Sequence, residues 1–110
     1  MNVYDTVNRL AKEIRESEEY LSYKKMKDAI NQNPEKKKKV EDFEKLRYEV
    51  QLLAYTGEEK KTEKDRKLQE MYATLVENKD IKEYFDLEVK FNVMIADVNK
   101  IIAEAVQDVL

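Results

Sequence analysis

The run from Asp80 to Leu110, DIKEYFDLEVKFNVMIADVNKIIAEAVQDVL, limits the fold more than any other stretch. It contains neither glycine nor proline, so nothing in it interrupts a helix. Phe91, Val98 and Ala105 recur every seven residues. Leu87, Met94 and Ile101 flank them on one side, and Ile95, Ile102 and Val109 on the other. Two interlocking 3-4 repeats with a shared centre give an apolar band wider than a two-helix seam. A helix over this stretch would be about 46 Å long at 1.5 Å per residue. Few companions are available in so short a chain to cover it. The expectation is an all-α bundle of about five helices, with two long antiparallel helices, completed by homo-oligomerisation.

Composition supports helices throughout. One glycine and one proline in 110 residues leave little material for tight turns, sheet bulges or phosphate-cradling loops. Charged residues make up 41% of the chain, against about 25% in an average soluble protein. The 21 basic and 24 acidic residues are interspersed, and no segment is strongly one-signed. A basic nucleic-acid footprint is therefore not visible, and direct nucleic-acid binding is not expected. The absence of cysteine and histidine excludes disulfides, an ordinary zinc site and a cysteine-ligated iron–sulfur cluster, and removes the commonest general base. No apolar run reaches the ~18 residues of a spanning helix, and the N-terminus lacks a signal-peptide pattern. A soluble cytoplasmic protein without membrane association is the expectation, organised as a single helical domain over residues 1–110.

Along the chain, Val3, Val7, Leu10, Ala11 and Ile14 predict a first helix over 3–16, capped by Asn2. Ser17 reads as the cap of a second helix reaching about Asn31, with Glu18 and Glu19 at its positive end. Asn33 and Pro34 read as cap and first residue of a third helix running to Tyr55 or Thr56. Phe43, Leu46, Val50 and Leu53 form its seam, and Tyr48, Leu52 and Tyr55 a second stripe. Gly57 reads as a left-handed C-terminal cap. Residues 57–62 read as a charged loop, and Thr62 opens a short fourth helix carrying Leu68, Met71, Tyr72, Leu75 and Val76. Asp80, with Glu83 three residues on, reads as the cap of the last helix. The third and last helices are the expected long partners, crossing at about +20°.

No residue pattern points to catalysis, a cofactor or a metal. Glu18/Glu19, Glu41/Asp42/Glu44 and Glu58/Glu59 lie adjacent on helices and so point apart, which suits solvated faces and caps. Glu88 lies beside the apolar band, where it could pair with a lysine across an interface or simply reach solvent. Lys36–Lys39 would spread around the whole helical cylinder. The seven tyrosines mostly fall at or beside apolar positions, which suits rings at the core edge with wet hydroxyls. Ser17 and Ser22 lack a histidine partner. The residues expected at an oligomer interface are Leu87, Phe91, Met94, Ile95, Val98, Ile101 and Ile102 of the last helix, with Leu46, Val50 and Leu53 of the third.

Several of these segments carry a family resemblance. Ser17-Glu18-Glu19-Tyr20 follows a short first helix, Phe43 stands mid-way along the third, and Gly57-Glu58-Glu59 follows a Leu/Gln-rich segment. The chain closes with Phe91-x-x-Met94-Ile95-x-x-Val98-Asn99-Lys100-Ile101-Ile102. In this order they resemble the YlbF/YmcA family of small bacterial helical proteins, its YheA-like branch most closely. The resemblance implies an all-helical fold and self-association. It also implies protein partners: in the family, YlbF and YmcA join YaaT in a complex that assists messenger-RNA processing by ribonuclease Y, with effects on competence, biofilm formation and sporulation. Those partners carry cysteine-ligated iron–sulfur clusters, which a chain without cysteine cannot hold. Three functions stay open: an interaction or regulatory protein, which the apolar band favours; an accessory factor of RNA decay; and an enzyme.

Overall fold

Five α-helices make up the protein in a computed structural model that describes residues 2–55 and 58–110, the side chains of 58–61 excepted. They are α1 (Val3–Glu16), α2 (Glu18–Asn31), α3 (Pro34–Leu53), α4 (Glu58–Leu75) and α5 (Lys79–Val106). No strand occurs among the described residues.

Local chemistry accounts for most boundaries. Asn2 Oδ1 accepts the Tyr4 N–H at 2.8 Å and starts α1. Ser17 closes α1 and opens α2: its hydroxyl donates to the Ile14 carbonyl at 2.6 Å and accepts the Tyr20 N–H at 3.2 Å. Asn33 Oδ1 accepts the N–H groups of Glu35 and Lys36, both at 3.1 Å, with Pro34 in the first turn. Each cap satisfies amide donors that the first turn of a helix leaves without an intrahelical acceptor.

Four boundaries differ from the sequence reading. The last helix begins at Lys79, and its cap is Asn78, whose Oδ1 accepts the N–H groups of Asp80 and Ile81 at 3.0 and 3.1 Å. Asp80 is already inside the helix and instead binds Lys36 through its carboxylate. The stretch read as a charged loop is largely helical, because α4 starts at Glu58 and Thr62 lies within it. Glutamate and lysine are good helix formers, so a run of them favours an earlier helix start. At the other end, α3 stops at Leu53 and α5 at Val106, both short of expectation. The cap assigned to Gly57 lies outside the described residues.

The chain forms two compact units, with the division falling inside α2 and α5. The unit of Asp28–Glu83 is built on α3 against α4. Phe43 meets Tyr72 with ring centroids 5.9 Å apart, and Lys64 Nζ reaches Glu49 Oε2 at 2.7 Å. Positions rise along one helix as they fall along the other, so the pair is antiparallel. Ile30, Val40, Phe43, Leu46, Val50, Leu75 and Ile81 are buried in this unit, Ile81 to 1% exposure. The Arg47 guanidinium stands 5.5 Å over the Phe43 ring and covers its outer side. The neighbour of α3 is thus α4, where the seam spacing led to the last helix. A connection this short sets consecutive helices antiparallel, and the early start of α4 gives it the length to accompany α3.

The unit of Met1–Lys27 with Tyr84–Leu110 rests on α2 against α5, again antiparallel. Tyr23 lies 5.5 Å from both Tyr84 and Phe91, and Tyr20 lies 6.2 Å from Phe91. These tilted arrangements are favourable ring geometries. Tyr84 is 1% exposed, so its hydroxyl is inside rather than wet as the sequence suggested. No buried side-chain nitrogen or oxygen among the described residues is left without a hydrogen-bond partner. In contrast, α1 buries none of its residues.

Candidate interaction surface

The two units leave different kinds of surface. In the Met1–Lys27/Tyr84–Leu110 unit, α1 presents Val3 at 74% and Val7 at 52% exposure, with Tyr4 beside them and Leu10 and Ile14 half-buried. Towards the end of α5, Ile101 is 68% and Ile102 53% exposed, and Val106 is exposed as well. An open apolar groove of about 490 Å3 follows one side of α5, lined by Val89, Val93, Met94, Val98 and Ile101. Glu19, Lys90 and Asp97 stand in the same groove. Large exposed apolar areas of this kind mark interaction sites more often than ordinary surface.

The residues expected at an oligomer interface fall into three groups. Leu46 and Val50 are buried within the chain under α4, so they are core positions and offer no free surface. Leu53, Leu87, Phe91, Met94, Ile95 and Val98 are half-buried. Ile101 and Ile102 are open. The sequence reading passed over Val3, Val7, Val89 and Val93. Val89 and Val93 lie off the heptad seam, where spacing alone assigns a solvated flank. Val3 and Val7 predict the α1 helix by their spacing, which does not tell whether the stripe is covered.

The Asp28–Glu83 unit carries a smaller cavity of about 370 Å3. Asn33, Glu35, Lys36, Lys39, Asp42 and Asn78 line its polar side, and Met71, Leu75 and Ile81 its apolar side. Its charges are mixed. Every lysine of the Lys36–Lys39 run has a carboxylate within 4.0 Å: Asp80 at 2.8 Å, Glu41 at 4.0 Å, Asp42 at 3.8 Å and Glu35 at 3.2 Å respectively. The run is thus a set of local ion pairs spread around α3. The Lys36 ammonium, by hydrogen bond and by charge, holds the Asp80 carboxyl below its ordinary range. Lys64 does the same to Glu49.

Glu88 stands beside the ring cluster of α2 and α5. It is half-buried, and its Oε2 accepts the Tyr23 hydroxyl at 3.3 Å. Among the described residues, no three carboxylates converge as a metal site would require, and no helix is long and apolar enough to cross a membrane.

Capped helices, a core built of aromatic and aliphatic contacts and an apolar surface left open together define a small all-helical protein. The chain belongs to the YlbF/YmcA family: the family model described as control of competence regulator ComK, YlbF/YmcA, matches residues 3–107. It is similar over nearly its whole length to proteins named UPF0342. The one from Caldicellulosiruptor bescii is 34% identical, covering 96% of this chain and 89% of the relative. The one from Clostridium novyi is 39% identical, covering 98% and 95%. The one from Symbiobacterium thermophilum is 33% identical, covering 94% and 93%.

Proposed function

We propose that this chain is a non-enzymatic interaction protein of the cytoplasm, regulatory in role, which acts through self-association and through contacts with other proteins. The observation that carries this reading is the uncovered apolar surface on α1 and on the last turns of α5. Water in contact with that surface is unfavourable by about 25 cal/mol per Å2. A helix with no fully buried residue in its own chain gains stability once a neighbour covers the rest of its apolar face. Membership of a family described by control of competence adds support for a regulatory role.

Light scattering coupled to size exclusion tests the first half. At micromolar concentration the mass should be that of two or more subunits. A lone-subunit mass across that range would remove self-association. Affinity capture of the tagged protein from its own cells tests the second half, with partners identified by mass. Recovery of the bait alone, over repeated captures, would count against an adaptor role.

A further inference from the structure

We propose that α1 is an arm that opens on its own: Val3–Glu16 unwinds and re-forms as one unit, breaking at Ser17, while the rest of the chain stays folded.

The bonds of α1 all turn inward. Asn2 Oδ1 accepts the Tyr4 N–H, the Thr6 hydroxyl donates to the Asn2 carbonyl at 3.5 Å, and Lys12 Nζ lies 3.9 Å from Glu16 Oε1. At the far end Ser17 donates to the Ile14 carbonyl through both its hydroxyl and its N–H, at 2.6 and 3.1 Å. Among the described residues, no hydrogen bond or ion pair of residues 2–16 reaches beyond Ser17. The later helices are tied at long range, Tyr23 to Glu88 and Lys64 to Glu49.

Burial divides the same way. Leu10 and Ile14 are half-buried, and every other residue of α1 is exposed. In α3, by contrast, Val40, Phe43, Leu46 and Val50 are buried. Opening α1 returns little apolar surface to water, whereas opening α3 uncovers a core.

Nor does intrinsic preference hold α1 together. The run Val3–Asn8, VYDTVN, contains no strong helix former. Isolated helices shorter than ~12–15 residues are marginal in water even with good formers, and α1 has 14 residues. Its Asn2 cap and its Lys12–Glu16 pair favour the helix without anchoring it to a neighbour. Ser17 sets the limit of the opening. Its hydroxyl can go on accepting the Tyr20 N–H after the bond to Ile14 is lost, so α2 keeps its cap. Contact along the Val3 and Val7 stripe is then linked to folding of the arm, since anything that binds the helical form stabilises it.

Amide hydrogen exchange of the intact protein in rising, sub-denaturing urea tests this, read by mass spectrometry. Amides of α1 should exchange at least about tenfold faster than those of α2 and α3, and with a weaker dependence on urea. Amides of α2 should instead track those of α5 around Tyr84 and Phe91, because the rings join them. If α1 exchanges at the rate and urea dependence of α3, the arm is part of the global fold and the proposal is wrong. If α2 opens together with α1, the breakpoint at Ser17 is wrong. A full-length variant, Ala11→Pro, breaks α1 at its middle. It should lower the helical circular dichroism signal yet leave the urea midpoint of the remaining helices near that of the unaltered chain. The two are compared at a dilution where light scattering gives both the same mass. A fall in midpoint as large as that of Ile81→Ala would overturn the proposal.

Discussion

Tyr23 and Glu88 meet across α2 and α5, the tyrosine hydroxyl donating to Glu88 Oε2 at 3.3 Å. The same ring lies 5.5 Å from Tyr84 and from Phe91. One side chain thus supplies both the apolar and the polar link between these helices. Tyr23→Phe keeps the ring and removes the donor, and should lower stability by about 1 kcal/mol. Tyr23→Ala removes both and should cost about 3–5 kcal/mol, as for a large aromatic truncation. Urea unfolding followed by circular dichroism separates the two. Equal losses would mean that the ring contributes little.

The cap of α5 gives a second expectation. Asn78→Ala leaves the N–H groups of Asp80 and Ile81 without their acceptor, and should cost about 1 kcal/mol. Asn78→Asp should be close to neutral, because an aspartate accepts the same bonds. Thermal unfolding of the two variants checks this.

Two ion pairs make stability depend on acid. Asp80 and Glu49 have carboxyls lowered by Lys36 and Lys64. A carboxyl lowered in the folded state binds fewer protons there than in the unfolded state, so its stabilisation is present above the unfolded value. It is lost as pH falls through the lowered folded value. Stability should therefore decline on acidification through and below the ordinary carboxylate range. Lys36→Gln and Lys64→Gln should each flatten part of that decline, with little change in its slope near neutrality. Both pairs are open to solvent, so the difference should be small and should shrink in salt. Denaturation midpoints measured from acid to neutral pH, with and without added salt, test it.

Two isoleucines on the same helix should behave oppositely. Ile81 is 1% exposed, and Ile81→Ala should lose about 2–5 kcal/mol, independent of protein concentration. Ile101 is 68% exposed, and Ile101→Ala should leave the unfolding of an isolated chain nearly unchanged. Its effect should appear as weaker association, read by dilution in light scattering. A large, concentration-independent loss at Ile101 would mean that the tail is covered within one chain.

Much of this fold could be read from residues. Asn2, Ser17 and the Asn33–Pro34 pair act where their chemistry places them, because a cap is decided within four residues. The reading places the last cap at Asp80 and the structure places it at Asn78, a residue type that caps equally well two positions earlier. Only the backbone path shows that one oxygen reaches two amides. Tertiary pairing was less legible. Phe43, Leu46 and Val50 announce a seam, but spacing does not say which helix fills it, and α4 takes the place expected of α5. That choice moved Leu46 and Val50 from the expected interface into the core. The open stripe on α1 carried a clear signal, but the same 4-3-4 spacing serves a covered helix and an uncovered one.

The shared hydroxyl at Ser17 acts as a gear between α1 and α2. It holds the end of one helix and the start of the next, with no intervening residue to absorb a change in count. Adding or removing one position there would turn the α1 stripe by about 100° about its axis. Point changes on that stripe can be graded and reversed. A one-residue insertion at the corner would instead swing an intact stripe to another side of α2, so the phase of α1 hangs on Ser17 while its letters do not.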